Sequence, residues 1–394
     1  MTMETKAGDP GAFAQFDLNR VDSPSFVVDA AKLRENLRIL ADVRDRAGIK
    51  VLGALKAFSM WPVAPIIGEY LDGVCTSGLW EALLAGEYYD GEIATYCAAY
   101  KPEDLDEICR LSDHIIFNSP QQIMRASAIL ENSRMRGNDF SIGLRINPMH
   151  ATGEVTRYDP CAPHSRLGFP IDQLQAEHLE GVDGIHFHTL CEQTLEPLKE
   201  TWDKVFDHIE PYFDQLQWLN FGGGHHITRA DYQRDELVEF LQDVKDDTDC
   251  EIYLEPGEAV ALDAGILVGT ILDSHWNGMP LAITDVSATC HMPDVIEAPY
   301  RPAMLGEEQG GAGKPVRLGG PSCLAGDVIG DYLLPMECQP GARFAFLDQA
   351  HYSMVKTTTF NGVPLPSIWL WDSETDTLEQ VRKFGYRDFR DRLG

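Results

Sequence analysis

From about Ser25 to Gly265 the chain alternates short apolar runs with longer stretches whose apolar residues recur at helical spacing. Short buried runs bounded by turn formers read as strands, and the three-to-four-residue period reads as helix. Phe26-Val27-Val28 reads as a strand, followed by a helix over Ala31 to Arg46. The run from Lys50 ends at Lys56, and a helix follows from about Val63 to Tyr70. Further strands are predicted at Gly73–Ser77, Glu92–Tyr96, His114–Phe117, Ser141–Ile146, Gly184–His188, Trp218–Phe221 and Glu251–Leu254. Helices such as Pro120 to Asn132 and Asp231 to Asp246 sit between most of them. Repeated strand–helix alternation of this length predicts an α/β fold, a (β/α)8 TIM-type barrel over residues 25–268. A doubly wound open sheet is the main competitor, which periodicity alone does not separate.

After about Gly265 the pattern changes. Gly269–Leu272, Leu281–Thr284, Val316–Leu318 and Arg343–Leu347 are short and strand-like, broken by Gly and Pro, with a glycine-rich loop at Glu307 to Lys314. Strands without intervening helices predict an antiparallel β domain, formed by residues 1–24 together with 269–394. The tail, Leu378 to Leu393, reads as a charged helix.

Composition narrows the function classes. Of the 394 residues 44% are apolar and 24% charged, ordinary values for a globular protein, but the net charge is −30. So acidic a surface repels nucleic acid and anionic membranes and attracts small cations. The nine cysteines are odd in number and include no C-x-x-C pair, which points to a reducing compartment. The first twenty residues lack the apolar core of a signal peptide, and no stretch approaches the roughly 20 apolar residues of a membrane helix. A cytoplasmic protein is expected.

Lys56 is the residue most suggestive of chemistry. A lysine at the carboxyl end of an apolar strand is partly desolvated, which favours the free amine that attacks carbonyls to form a Schiff base. A rim lysine whose stem packs on apolar surface is the plainer reading. His186 and His188 share one face of a strand end, because side chains alternate along a strand. They read as a hydrogen-bonded core histidine and an imidazole lying against a flat cofactor, or as a metal pair completed by Glu255 or Asp285. Asn220-Phe-Gly222-Gly223-Gly224 follows a strand start and precedes a helix, which suits phosphate, although the dinucleotide spacing is absent. Glu255, pinned by Pro256-Gly257, can hold a heteroaromatic nitrogen protonated. Cys323 and Asp327 lie in a glycine-rich loop, and Tyr352 precedes Phe360-Asn361-Gly362.

In this order the motifs resemble the fold-type III pyridoxal-phosphate decarboxylases, the group of ornithine, arginine and diaminopimelate decarboxylases, from Pro24 to about Trp371. The resemblance implies an alanine-racemase-like fold, a barrel then a β domain, assembled as a head-to-tail homodimer with shared active sites. It implies pyridoxal 5'-phosphate held by Lys56, with His188 stacked on its ring, Glu255 at the ring nitrogen and Gly222, Gly223 and Gly224 at the phosphate. Arg145 would support the site, Tyr352 would lie at the phosphate, and Cys323 would reach in from the partner subunit to return a proton. Three departures stand out: Glu258 replaces an arginine, Thr189-Leu190-Cys191-Glu192 replaces a small pair, and Leu324 replaces an acid. With Leu-Lys-Ala-Phe around Lys56, the combination resembles the carboxynorspermidine/carboxyspermidine decarboxylase branch of polyamine biosynthesis. The far end of a polyamine pocket should be acidic, and Asp285, Asp327 and Glu192 are the candidates. Rival readings are a diaminopimelate, ornithine or arginine decarboxylase, a metal-dependent barrel hydrolase built on His186 and His188, and a cofactor carrier or polyamine sensor without activity.

Overall fold

Eight short parallel strands close on themselves between residues 35 and 260 of the computed structural model, which describes residues 5–6, 8–153, 155–307 and 314–394. They run Lys50–Ala54, Gly73–Thr76, Glu92–Tyr96, His114–Phe117, Ser141–Asn147, Gly184–His186, Trp218–Asn220 and Glu251–Leu254. Each pairs with its successor, and the eighth returns to the first through Tyr253↔Lys50 and Leu254↔Val51. Helices including Leu79–Tyr88, Pro102–Leu111, Pro120–Met135, Glu196–Ile209 and Arg234–Thr248 alternate with the strands. This is the expected barrel, and closure excludes the open sheet.

Glycine placement explains how the barrel interior is filled. A Cβ at Gly143 would lie 2.4 Å from the Trp218 ring, and one at Gly184 would lie 2.0 Å from it. The fifth and sixth strands therefore carry glycine where the seventh projects tryptophan across the interior. Trp218 Nε1 donates to Ser141 Oγ (3.0 Å), which also contacts His114 Nδ1 (2.7 Å). His114 Nε2 meets Glu92 (3.2 Å), which accepts from Lys50 and from the Tyr253 hydroxyl (2.9 Å). Side chains from six of the eight strands thus close the amino-terminal end of the barrel with one satisfied polar network. The opposite end carries Arg145, His186, His188, Asn220 and Glu255, with Lys56 just past the first strand.

The other compact unit comprises Met1–Arg34 and Ala261–Gly394, against Glu35–Val260 for the barrel. The expected boundaries of 25 and 268 are therefore displaced. Ser25–Asp29, buried at all five positions, pairs antiparallel with the start of Gly265–Trp276 and parallel with Ser367–Asp372. It is a central strand of the second sheet and not the first of the barrel; its apolar run looks the same in either sheet. The sheet runs Val328–Tyr332, Val316–Gly319, Pro280–Thr284, Gly265–Trp276, Ser25–Asp29, Ser367–Asp372, Thr377–Arg382, with Arg343–Phe346 also on the long strand. Two of these pairings are parallel, so the sheet is mixed where an antiparallel one was expected. The tail also differs: Thr377–Arg382 is a strand paired with Ser367–Asp372, and only Tyr386–Arg390 is helical. Sheet pairing overrides local helix preference there. Most of the glycine-rich loop, residues 308–313, lies outside the described residues.

Hydrogen bonding to His114, working against burial and supported by Lys50 and Tyr253, holds the Glu92 carboxyl at about 2. A carboxylate depressed in the folded state stabilises above its unfolded pKa and loses that contribution as pH falls through the folded value. Glu92→Gln should therefore cost on the order of 2–3 kcal/mol at pH 7. Denaturant titrations should show the difference shrinking from about pH 4.5 downward and nearly gone at pH 2; a pH-independent difference would assign the loss to packing.

Candidate active site

Lys56 follows the first strand in a turn closed by Ala57 and Phe58 amides on the Ala54 carbonyl. Its Nζ lies 3.2 Å from His188 Nε2, and the Gly223 N–H donates to His188 Nδ1 at 2.9 Å. A neutral imidazole that accepts at Nδ1 carries its proton on Nε2. Nε2–H then donates, and the partner facing it must accept, which a free amine does and an ammonium does not. Electrostatics point the same way. Loss of bulk solvation, then the charge of Arg145, lowers the pKa of Lys56, although its surface remains accessible at the barrel mouth. Burial, with Lys56 and Arg145 adding to it, lowers His188 well below the ordinary histidine value.

Glu255 lies one residue past the eighth strand. Its Oε2 is 3.1 Å from His186 Nε2 and its Oε1 accepts from Asn220 Nδ2 at 2.8 Å. Burial alone would raise its pKa; the hydrogen bonds from His186 and Asn220 work against this and lower it. His186 is itself kept neutral by burial, so it serves Glu255 as a hydrogen-bond donor. Tyr96 stacks on His186 with centroids 5.6 Å apart, and the Arg145 guanidinium lies 4.4 Å from the Tyr96 ring. Arg145, 5% exposed, also donates to the His188 carbonyl at 3.1 Å. Burial and the charge of Glu255 push the Cys75 thiol well up, leaving it a protonated hydrogen-bond partner of that carboxylate.

The glycines also serve the packing of the chain itself. A Cβ at Gly223 would lie 2.0 Å from the Glu255 carbonyl oxygen, and one at Gly224, with φ +92°, 1.9 Å from that of Leu190. Close approach of neighbouring chain segments, before any ligand, demands glycine. Gly222 N–H is spent on Asn220 Oδ1 (2.9 Å) and Gly223 N–H on His188, so neither is an available phosphate donor. His226, two residues beyond Gly224, lies 3.3 Å from the Glu258 carboxylate.

The structure thus brings Lys56, Arg145, His186, His188, Gly222, Gly223, Gly224 and Glu255 to one end of the barrel. His186 and His188 have separate partners, which does not assemble the metal pair. Glu192 occupies a turn past the sixth strand with φ +55° and is half-buried. The other expected residues lie in the second unit. Cys323 is exposed, with its N–H donated to Asn361 Oδ1 at 2.8 Å. Tyr352, half-buried at φ +44°, meets His351 edge-on. The two aspartates have partners of their own. Asp285 accepts from Ser23 Oγ (2.6 Å) and Thr270 N–H (2.7 Å), tying the amino-terminal arm to the sheet. Asp327, 4% exposed, accepts from Ser287 Oγ (2.8 Å), Ser322 Oγ (2.7 Å) and Thr289 N–H (3.2 Å). Carboxylates so committed organise loops and are poor candidates for a substrate amine. Sequence reasoning missed Tyr96, Cys75 and His226. Tyr96 and Cys75 sit at or near strand ends, a detectable signal; His226 carried none beyond following three glycines.

The family described as pyridoxal-dependent decarboxylase, C-terminal sheet domain, matches residues 25–350. The chain is 37% identical to the carboxynorspermidine/carboxyspermidine decarboxylase of Campylobacter jejuni, covering 94% of this chain and 98% of that one. It is 39% identical to the carboxyaminopropylagmatine decarboxylase of Synechocystis sp., covering 96% and 97%. Among solved structures, C. jejuni carboxynorspermidine decarboxylase in complex with norspermidine superposes with a TM-score of 0.86 at 36% identity, over 94% of this chain and all of that one (100%). Helicobacter pylori diaminopimelate decarboxylase, 17% identical, superposes at 0.81 over 95% of this chain and 97% of that one, and shares the fold.

Because the charge of Arg145 adds to burial in lowering the Lys56 pKa, Arg145→Gln should raise it. The pH dependence of Lys56 acylation, followed by peptide mass, reads this; an unmoved midpoint would leave burial as the whole cause.

Proposed function

The chain belongs to the pyridoxal-dependent decarboxylases, and from that premise we propose that it decarboxylates carboxynorspermidine or carboxyspermidine to norspermidine or spermidine in polyamine biosynthesis. The observation that carries the reading is 37% identity, over 94% of this chain, with an enzyme of that name, in a chain whose barrel mouth joins a neutral-leaning lysine to an ionised buried acid. The cofactor is pyridoxal 5'-phosphate. The residues fit it: an amine with lowered pKa, a buried carboxylate, and buried imidazole nitrogens of His225 and His226 without a hydrogen-bond partner among the described residues.

When bound, the cofactor supplies an electron sink for the electrons left behind by departing CO2. Lys56 would hold its aldehyde end, and His188 would lie against its ring. Glu255 would accept the ring N–H and, remaining ionised, keep that nitrogen protonated. Asn220 and His186 fix the orientation of Glu255, and Arg145 braces His188 through its carbonyl. Cys323, a thiol on an exposed loop, would return a proton to the substrate carbon. We propose a cytoplasmic homodimer in which that thiol comes from the second copy, with neither nucleic acid nor membrane as partner. No helix among the described residues is long and apolar enough to cross a membrane, and all nine cysteines are free. We propose Glu192 as the acid for the distal amine.

A second substrate has specific support: the Synechocystis relative acts on carboxyaminopropylagmatine, whose distal group is a guanidine instead of an amine. Release of CO2 from carboxynorspermidine, carboxyspermidine, carboxyaminopropylagmatine and diaminopimelate, compared as kcat/KM, tests the assignment. We expect a triamine precursor to lead; a lead for carboxyaminopropylagmatine would transfer the assignment, and one for diaminopimelate would overturn it.

Shared sites carry their own test. Lys56→Ala and Cys323→Ala proteins should each be nearly inactive, and activity should return when they are mixed under conditions that exchange subunits. No return on mixing would place both groups on one chain.

A further inference from the structure

β/α barrels commonly bind phosphate between the loops that follow the seventh and eighth strands, beside a short extra helix. Here those loops begin at Phe221 and Glu255, and the short helix is Glu258–Ala261. Each loop contributes one member of a contact pair, His226 from the first and Glu258 from the second, 3.3 Å apart. His226 is 8% exposed, and neither of its ring nitrogens has a hydrogen-bond partner among the described residues. The contact with Glu258 is thus close but not aligned as a hydrogen bond.

A phosphate dianion needs donors, and several of the polar groups nearby are already engaged. The N–H groups of Gly222 and Gly223 are spent on Asn220 and His188. Arg229 is exposed and paired with Asp231, and Arg234 donates to the carbonyls of Ile227 and Arg229. Arg145 is engaged with the His188 carbonyl and the Tyr96 ring, and Lys56 is reserved for the aldehyde. Glu258 alone would repel phosphate. Beside it, however, His226 offers a buried ring N–H that a phosphate oxygen can accept.

We propose that His226, beside Glu258, is the side-chain donor that binds the phosphate of the cofactor. This rests on the cofactor reading above and assigns residues to one end of it. A ring N–H of the imidazole would reach a phosphate oxygen, and Glu258, 3.3 Å away, would orient the ring.

The test uses the full-length apoprotein titrated with pyridoxal phosphate and, separately, with pyridoxal, which lacks the phosphate. Borohydride fixes bound cofactor, and the label on Lys56 is counted by peptide mass, independently of turnover. His226→Gln should weaken pyridoxal phosphate roughly tenfold or more while leaving pyridoxal unchanged, the loss expected for one charge-assisted contact. Glu258→Gln should act in the same direction, and His226→Arg should recover most of the affinity. Equal weakening of both compounds would make His226 a packing residue, and unchanged affinity for pyridoxal phosphate would remove it from the site. If the unmodified apoprotein fixed neither compound at Lys56, the cofactor reading itself would fail, an outcome distinct from either.

Discussion

A single backbone hydrogen bond governs the chemistry available at the barrel mouth: the Gly223 N–H aimed at Nδ1 of His188. By occupying Nδ1 it sends the imidazole proton to Nε2, and so makes the Lys56 amine the acceptor. Its effect reaches backward into the fold. The N–H reaches His188 because the chain after the seventh strand passes too close to the Glu255 carbonyl for any side chain at position 223. The same glycine therefore permits the close approach of adjacent strand ends and fixes the tautomer of the residue beside the lysine. A barrel that closed with looser spacing at the seventh and eighth strands would lose both together.

Charge is distributed around that bond so that each group constrains the next. Lys56 is pushed toward neutrality by desolvation and by Arg145, whereas Glu255 is held ionised despite burial by two donors and nearby positive charge. Inside a low-dielectric mouth such offsets are strong. They leave a nucleophilic amine and a permanent carboxylate facing one space, the pairing an electron-sink cofactor requires. The rest of the interior isolates this end. Trp218 and the Glu92 network occupy the amino-terminal half of the barrel, so the polar groups there satisfy one another and leave the mouth's electrostatics to its own residues.

Much of this was legible before any coordinates. Lys56, His188, Arg145 and Glu255 each lie in or just past an apolar run, and in a parallel barrel those ends converge whatever the helices do. The period-two rule correctly put His186 and His188 on one face, but it did not reveal that one would serve a carboxylate and the other an amine. Partner identity depends on register between strands distant in sequence, as in Arg145↔His186 across the fifth and sixth. Ser25–Asp29 was read as a strand yet assigned to the wrong sheet, since a fully buried run carries no mark of its neighbours. Asp327 looked like a free loop acid because its serine and backbone donors are scattered between Ser287 and Ser322. The triple glycine was read as clearance for a ligand, and nothing in the sequence signals that neighbouring chain segments also require it.

Substrate choice follows a separate logic from cofactor chemistry. A net charge of −30 favours the approach of a polycation, but it favours every polycation equally and does not separate a terminal amine from a guanidine. Relatives acting on each are 37% and 39% identical over nearly the full chain, so global likeness does not rank the two substrates. The distinction is local and geometric. An ammonium is a compact charge that one carboxylate accommodates, whereas a guanidinium is a planar fork that gains its advantage from two coplanar acceptors. One carboxylate at the distal end of the pocket therefore suits the amine, and a guanidinium preference would require a second acceptor placed in the same plane.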